Sequence, residues 1–145
     1  AQSIAQKMIG LDTNVLARYY IADKADAEAQ SQHEAARRLI ESGQALMVCK
    51  TVALELEWVM RGYYGFSPQE IARVFHHLLC LDHVTVEDRE TLLQALAQSA
   101  AGLELADALH HASYRGCDSM ASFDDQKFAR RVKRLGLMPR VVVPD

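Results

Sequence analysis

The sequence predicts an α/β protein, a three-layer α/β/α sandwich around a small, mostly parallel β-sheet. Two observations predict it. Short apolar runs alternate along the chain with longer stretches whose apolar residues recur at helical spacing. Parallel strands need crossover connections, and helices between consecutive strands supply them.

The expected strands are Met8-Ile9-Gly10-Leu11, Ala45-Leu46-Met47-Val48-Cys49, Ser119-Met120-Ala121-Ser122-Phe123 and Val141-Val142-Val143, with a weaker one at Val84-Thr85-Val86. All read as buried. The expected helices run from Ala27 to Glu41, Val52 to Arg61, Pro68 to Leu81, Thr91 to Ala101, Leu105 to Tyr114 and Asp125 to Leu135, and a further one begins near Val15. Before the third of these, Ser67-Pro68-Gln69-Glu70 has the form of a capping box, with Ser67 as N-cap and proline at the first helical position.

With 145 residues, half of them apolar, the chain can bury one core but not comfortably two. Residues 1–7 read as a leader, appended or disordered, ahead of a native start at Met8, so the single expected domain covers 8–145. A net charge of -3 excludes a protein that coats nucleic acid by bulk positive charge. Cys49, Cys80 and Cys117 are odd in number and widely spaced, which fits neither a zinc ribbon nor a disulfide framework and points to a reducing cytoplasm. No apolar run is long enough to span a membrane.

In open α/β sheets ligands bind beyond the carboxyl ends of the strands, so acids that follow strands are the informative ones. Asp12 follows the first strand, Glu55 lies in the first turns after the second, and Asp124 follows Ser122-Phe123. Asp107, among the small residues of Leu105-Ala106-Asp107-Ala108-Leu109, could complete a cluster. Such a cluster repels itself unless a hard divalent cation neutralises it, and two ions suit in-line phosphodiester hydrolysis.

Each acid also has a structural reading. Asp12 could cap the helix after it, although Thr13 and Asn14 offer caps beside it. Helical phase does not separate Glu55 from Glu57, which both flank the apolar stripes. Asp107 and Asp124 stand where helix dipoles and caps favour an acid without any chemistry.

The chain resembles the PIN-domain family, and within it the VapC ribonuclease toxins of bacterial toxin–antitoxin pairs. The resemblance rests on Ile9-Gly10-Leu11-Asp12-Thr13-Asn14-Val15-Leu16, Leu54-Glu55-Leu56-Glu57-Trp58-Val59-Met60, Ala106-Asp107-Ala108-Leu109 and Ser122-Phe123-Asp124, in the family's order. It implies a PIN-like fold and assigns the catalytic and metal-binding acids to Asp12, Glu55, Asp107 and Asp124, leaving Glu57 solvated or structural. It further implies one or two Mg²⁺ or Mn²⁺ ions, endoribonuclease activity leaving a 5′-phosphate and a 3′-hydroxyl, a small antitoxin partner and a homodimer. Thr13, Asn14 and Ser122 would orient the acids by hydrogen bonds. Glu104 stands where many relatives carry aspartate, and Asp125 where relatives often carry a basic residue.

Lys127, Arg130, Arg131, Lys133 and Arg134 offer a local track for RNA phosphates, or simply a solvated helix face. His110 and His111 read as surface or packing residues, and Trp58, Phe75 and Phe128 as core. Ala35, Ala36, Leu39 and Ile40, with Ile71, Val74, Phe75, Leu78 and Leu79, could form a partner groove, with core packing as the simpler role. The competing functions are a catalytically silent PIN-like module that binds RNA or protein, a DNA-directed nuclease, and a phosphoryl-transfer domain with Asp12 as nucleophile. The last would place a second aspartate where Asn14 stands.

Overall fold

A computed structural model describes residues 7–145, and its contacts gather into two compact units, Ala1–Glu87 and Asp88–Asp145. Apart from Lys7, the expected leader lies outside the described residues.

In the first unit the order is β1 (Ile9–Gly10), α1 (Thr13–Tyr20), α2 (Ala27–Ile40), β2 (Leu46–Val48), α3 (Lys50–Trp58), a π-helical turn (Val59–Tyr63), α4 (Pro68–Leu79) and β3 (Val84–Val86). The three strands pair in parallel in the order β1-β2-β3, with Ile9 opposite Leu46 and Leu46 opposite Val84. This register sets Leu46, Val48, Val84 and Val86 on one face, all buried, while Thr85 on the other face is exposed. Both β1 residues are exposed, unlike the buried strand expected there, because β1 is an edge strand with a single neighbour. Its ladder continues one residue further, where Leu11 N–H donates to the Met47 carbonyl.

The capping box forms at α4. Glu70 N–H donates to Ser67 Oγ, and Ser67 N–H donates to the Glu70 carboxylate. Behind it Ile71, Val74, Phe75, Leu78 and Leu79 are all buried, so the half of the partner groove expected on α4 is core.

The second unit runs α5 (Arg89–Ala100), α6 (Leu105–Ser113), β4 (Ser119–Ala121), a π-helical turn (Asp125–Ala129) leading into α7 (Arg130–Arg134), and β5 (Arg140–Val142). β4 and β5 pair in parallel. Leu92, Ala95, Leu105, Ala108, Phe128 and Val132 are buried in this unit. His111 belongs with them: it is fully buried, its Nε2 bonds the Pro139 carbonyl at 2.6 Å, and its ring meets the edge of Phe128.

Among the described residues the fold is therefore mixed α/β, parallel throughout, with five strands divided between sheets of three and two. Ser119 and Ala121 of β4 are exposed, again against the expectation of a buried strand, since a two-stranded sheet has only edges. No described helix is long and apolar enough to cross a membrane.

Candidate functional site

Asp12 stands where β1 gives way to α1 and is the N-cap of that helix, its Oδ1 accepting the Thr13 N–H at 2.8 Å. Of the three caps the sequence offers at this helix, Asp12 takes the role, and Thr13 and Asn14 do not. Thr13 is instead buried at 5% exposure, and its Oγ1 has no hydrogen-bond partner. A buried hydroxyl without a partner costs about 1–3 kcal/mol.

Along α3 and into the π-helical turn after it, Ala53, Leu56, Glu57 and Met60 form the buried face, at the i, i+3, i+4, i+7 spacing of a helix side. Glu57 is 8% exposed and accepts from Arg61 Nε at 2.8 Å, which gives it a structural role. Glu55 points elsewhere and is exposed.

Asp12 and Glu55 line one cavity of about 800 Å³. Thr13 and Asn14 line it too, as do Ala35, Ala36 and Leu39 from α2. Trp58, Tyr63 and Tyr64 close another part of the wall. Trp58 is 58% exposed, so its reading as core is overturned: two positions on from Leu56, it lies across the helix from the buried face. Phe75 and Phe128 are core as expected.

Glu87, directly after β3, escaped the sequence reading although it meets the same strand-end criterion as Asp12. Its Oε1 accepts the Lys50 N–H at 2.9 Å, capping α3, where Cys49 makes no side-chain cap bond. The helix that carries Glu55 and Trp58 is thereby tied to the end of β3.

In the second unit Asp107 lies in the first turn of α6 and is half-buried. Burial raises its carboxyl above the ordinary aspartate range, and the charges of Glu104 and, more weakly, Asp124 push the same way against His110 and Arg131. Glu104 is the N-cap residue of α6 but makes no side-chain cap bond. Asp124 precedes the π-helical turn and caps it, Oδ1 accepting the Lys127 N–H at 3.0 Å, while Ser122 Oγ accepts the Asp124 N–H at 3.1 Å. Ser122 thus bonds the backbone of Asp124 and not its carboxylate, and Asp125 is an exposed first-turn acid. Lys127, Arg130, Lys133 and Arg134 are exposed, and Arg131 is half-buried.

The acids thus come in two groups, Asp12 with Glu55 and Asp107 with Asp124. Within either unit, among the described residues, no three His, Cys, Asp or Glu side chains form a group that could hold a metal ion. The donors fit a hard divalent cation by type, being carboxylate oxygens, and the mutual repulsion around Asp107 is what such a cation relieves.

The family profile described as PIN domain matches residues 9–134, across both units. No curated protein matches the chain at a significant level.

Proposed function

The chain belongs to the PIN-domain family, whose members are generally nucleases, and from that premise we propose that it is a metal-dependent endoribonuclease, the VapC-type toxin of a toxin–antitoxin pair. The observation that carries the reading is the cavity of about 800 Å³ whose wall holds both Asp12 and Glu55.

Asp12, Glu55, Asp107 and Asp124 would hold one or two Mg²⁺ or Mn²⁺ ions. When bound, these supply the positive charge that offsets the acids and polarises a phosphodiester for in-line hydrolysis. The chain's own contribution is orientation. The Thr13 N–H fixes one oxygen of Asp12, and the Lys127 N–H fixes one oxygen of Asp124, so each carboxylate has its other oxygen left for a ligand. Asn14, exposed at the same wall, would bond a substrate oxygen or water. Lys127, Arg130, Arg131, Lys133 and Arg134 would take the phosphates of the RNA strand, none of them being in a salt bridge among the described residues. A small antitoxin protein, a homodimer and a cytoplasmic location complete the proposal, carried by the resemblance of the four motif segments.

A second reading has its own observation. Asp12 and Asp124 both cap helices, which a catalytically silent module binding RNA or protein would also need.

End-labelled RNA and a matched single-stranded DNA, incubated with antitoxin-free protein in Mg²⁺, Mn²⁺ or EDTA, separate the two. EDTA-sensitive RNA cleavage that is lost in Asp12→Asn and Asp107→Asn supports the nuclease. Folded protein without metal-dependent cleavage across varied RNAs, or cleavage untouched by both substitutions, supports the silent module.

A further inference from the structure

We infer that Trp58, with Tyr63 and Tyr64, is a stacking platform for a nucleobase of the RNA strand, next to the phosphate that Asp12 and Glu55 serve. The inference rests on the nuclease reading and adds to it the residues that grip the base.

Three aromatic residues are left open at one cavity. Tyr63 is 76% exposed, and Trp58 keeps more than half of its surface in solvent. Burying them in the core would be favourable, so their exposure asks for an occupant. The backbone holds them there. Gly62, one turn after Trp58, has no side chain, and a Cβ at that position would lie 3.7 Å from the indole Cε2. The indole therefore rests on the helix itself. The π-helical turn, closed by the Tyr64 N–H donating to the Val59 carbonyl at 3.2 Å, adds a residue to the helical turn and takes the tyrosines out of the α3 phase. Tyr63 and Tyr64 brace each other edge to face, with ring centroids 4.8 Å apart.

The rest of the wall is mixed, with Val15, Ala35, Ala36 and Leu39 apolar and a set of polar groups beside them. It carries two exposed carboxylates, the exposed Asn14, and Arg18, whose Nε is fixed by Gln32 Oε1 at 2.8 Å. A hydrocarbon face laid there would desolvate these groups without bonding them, whereas a nucleotide offers flat rings together with donors and acceptors. A volume of about 800 Å³ lies within the range of small-ligand sites.

Trp58 is the single tryptophan of the chain, so its emission reports this ring alone. The full-length Asp107→Asn protein, with the cavity residues intact and cleavage disabled, is titrated in Mg²⁺ with a short single-stranded RNA and with an abasic strand of equal length. Binding is followed in parallel by the anisotropy of the end-labelled strands. We expect saturable quenching by the RNA and little by the abasic strand. In the same background Trp58→Ala weakens RNA binding by about tenfold, while Trp58→Phe retains most of it. In the active protein Trp58→Ala raises KM more than it lowers kcat. RNA binding with unchanged emission, equal quenching by the abasic strand, or quenching produced only by a co-expressed protein would overturn the inference. Cleavage by the parent protein without quenching refutes the platform and leaves the nuclease. Quenching without cleavage by the parent protein refutes the nuclease and supports the platform.

Discussion

Glu55 and Glu57 lie two residues apart on one helix, and the structure gives them opposite fates under substitution. Glu57 is 8% exposed and bonds Arg61 at 2.8 Å, but the Arg61 side chain is 54% exposed. Removing one member of a fully buried pair costs about 3–5 kcal/mol, and a surface pair is worth about 0–1 kcal/mol. Arg61 can rehydrate, so Glu57→Ala sits near the lower figure, to which one buried methylene adds about 0.8 kcal/mol. The sum is about 1–2 kcal/mol, or roughly 3–8 °C in Tm for a chain of this size. Glu55 is exposed, so Glu55→Ala should leave stability within about 0.5 kcal/mol. Under the proposed assignment of Glu55 to the metal, its cost falls on catalysis and should exceed the roughly 10–100-fold effect of removing an outer-shell partner. Thermal melts and RNA cleavage rates, measured on both variants below their melting temperatures, provide the comparison. A stable Glu57→Ala protein without activity, beside an active Glu55→Ala protein, would refute the reasoning.

Four other outcomes follow from the same geometry. Because the Asp107 carboxyl is raised, its ionised form opposes folding, and this opposition is absent below the unfolded pKa and complete above the folded one. Metal-free Asp107→Asn should therefore melt higher than the parent at neutral pH, with the gain vanishing in acid where the parent carboxyl is itself protonated. Glu87→Ala removes the cap on α3 and should cost about 1 kcal/mol in chemical denaturation, while Glu87→Gln keeps part of it. His111→Leu leaves the Pro139 carbonyl without its bond and should destabilise by about 1–3 kcal/mol, with cleavage by the folded fraction preserved. Arg134→Gln should weaken RNA binding and reduce the slope of log affinity against log salt by about 0.7, the share of one phosphate contact to a single strand.

The legible parts of the fold were those where local chemistry and burial agree. Ser67, Pro68 and Glu70 spelled out the start of α4, and its apolar stripe is the stripe that is buried. The strand runs were located correctly, but β1 and β4 are exposed, because composition does not tell an edge strand from a central one. Trp58 misled because a large apolar residue at helical spacing looks like core. Burial of Ala53, Leu56, Glu57 and Met60 shows which side of the helix faces inward, with Glu57 held there by its bond to Arg61. The two π-helical turns left no trace in a 3.6-residue pattern, since each inserts a residue and resets the phase after it. Glu87 was hidden for a different reason: its partner is a backbone N–H at Lys50, 37 residues away. For the acids, the sequence indicated their positions after strands and in first turns. Their capping bonds and the raised carboxyl of Asp107 needed coordinates.

Calorimetric titration of Mn²⁺ into the purified chain measures directly whether the proposed acids Asp12, Glu55, Asp107 and Asp124 bind divalent ions. Saturable binding, weakened by more than about tenfold in each of Asp12→Asn, Glu55→Gln, Asp107→Asn and Asp124→Asn while their circular dichroism matches the parent, is the predicted result. Mn²⁺ affinity unchanged in Asp12→Asn and Asp107→Asn would contradict it.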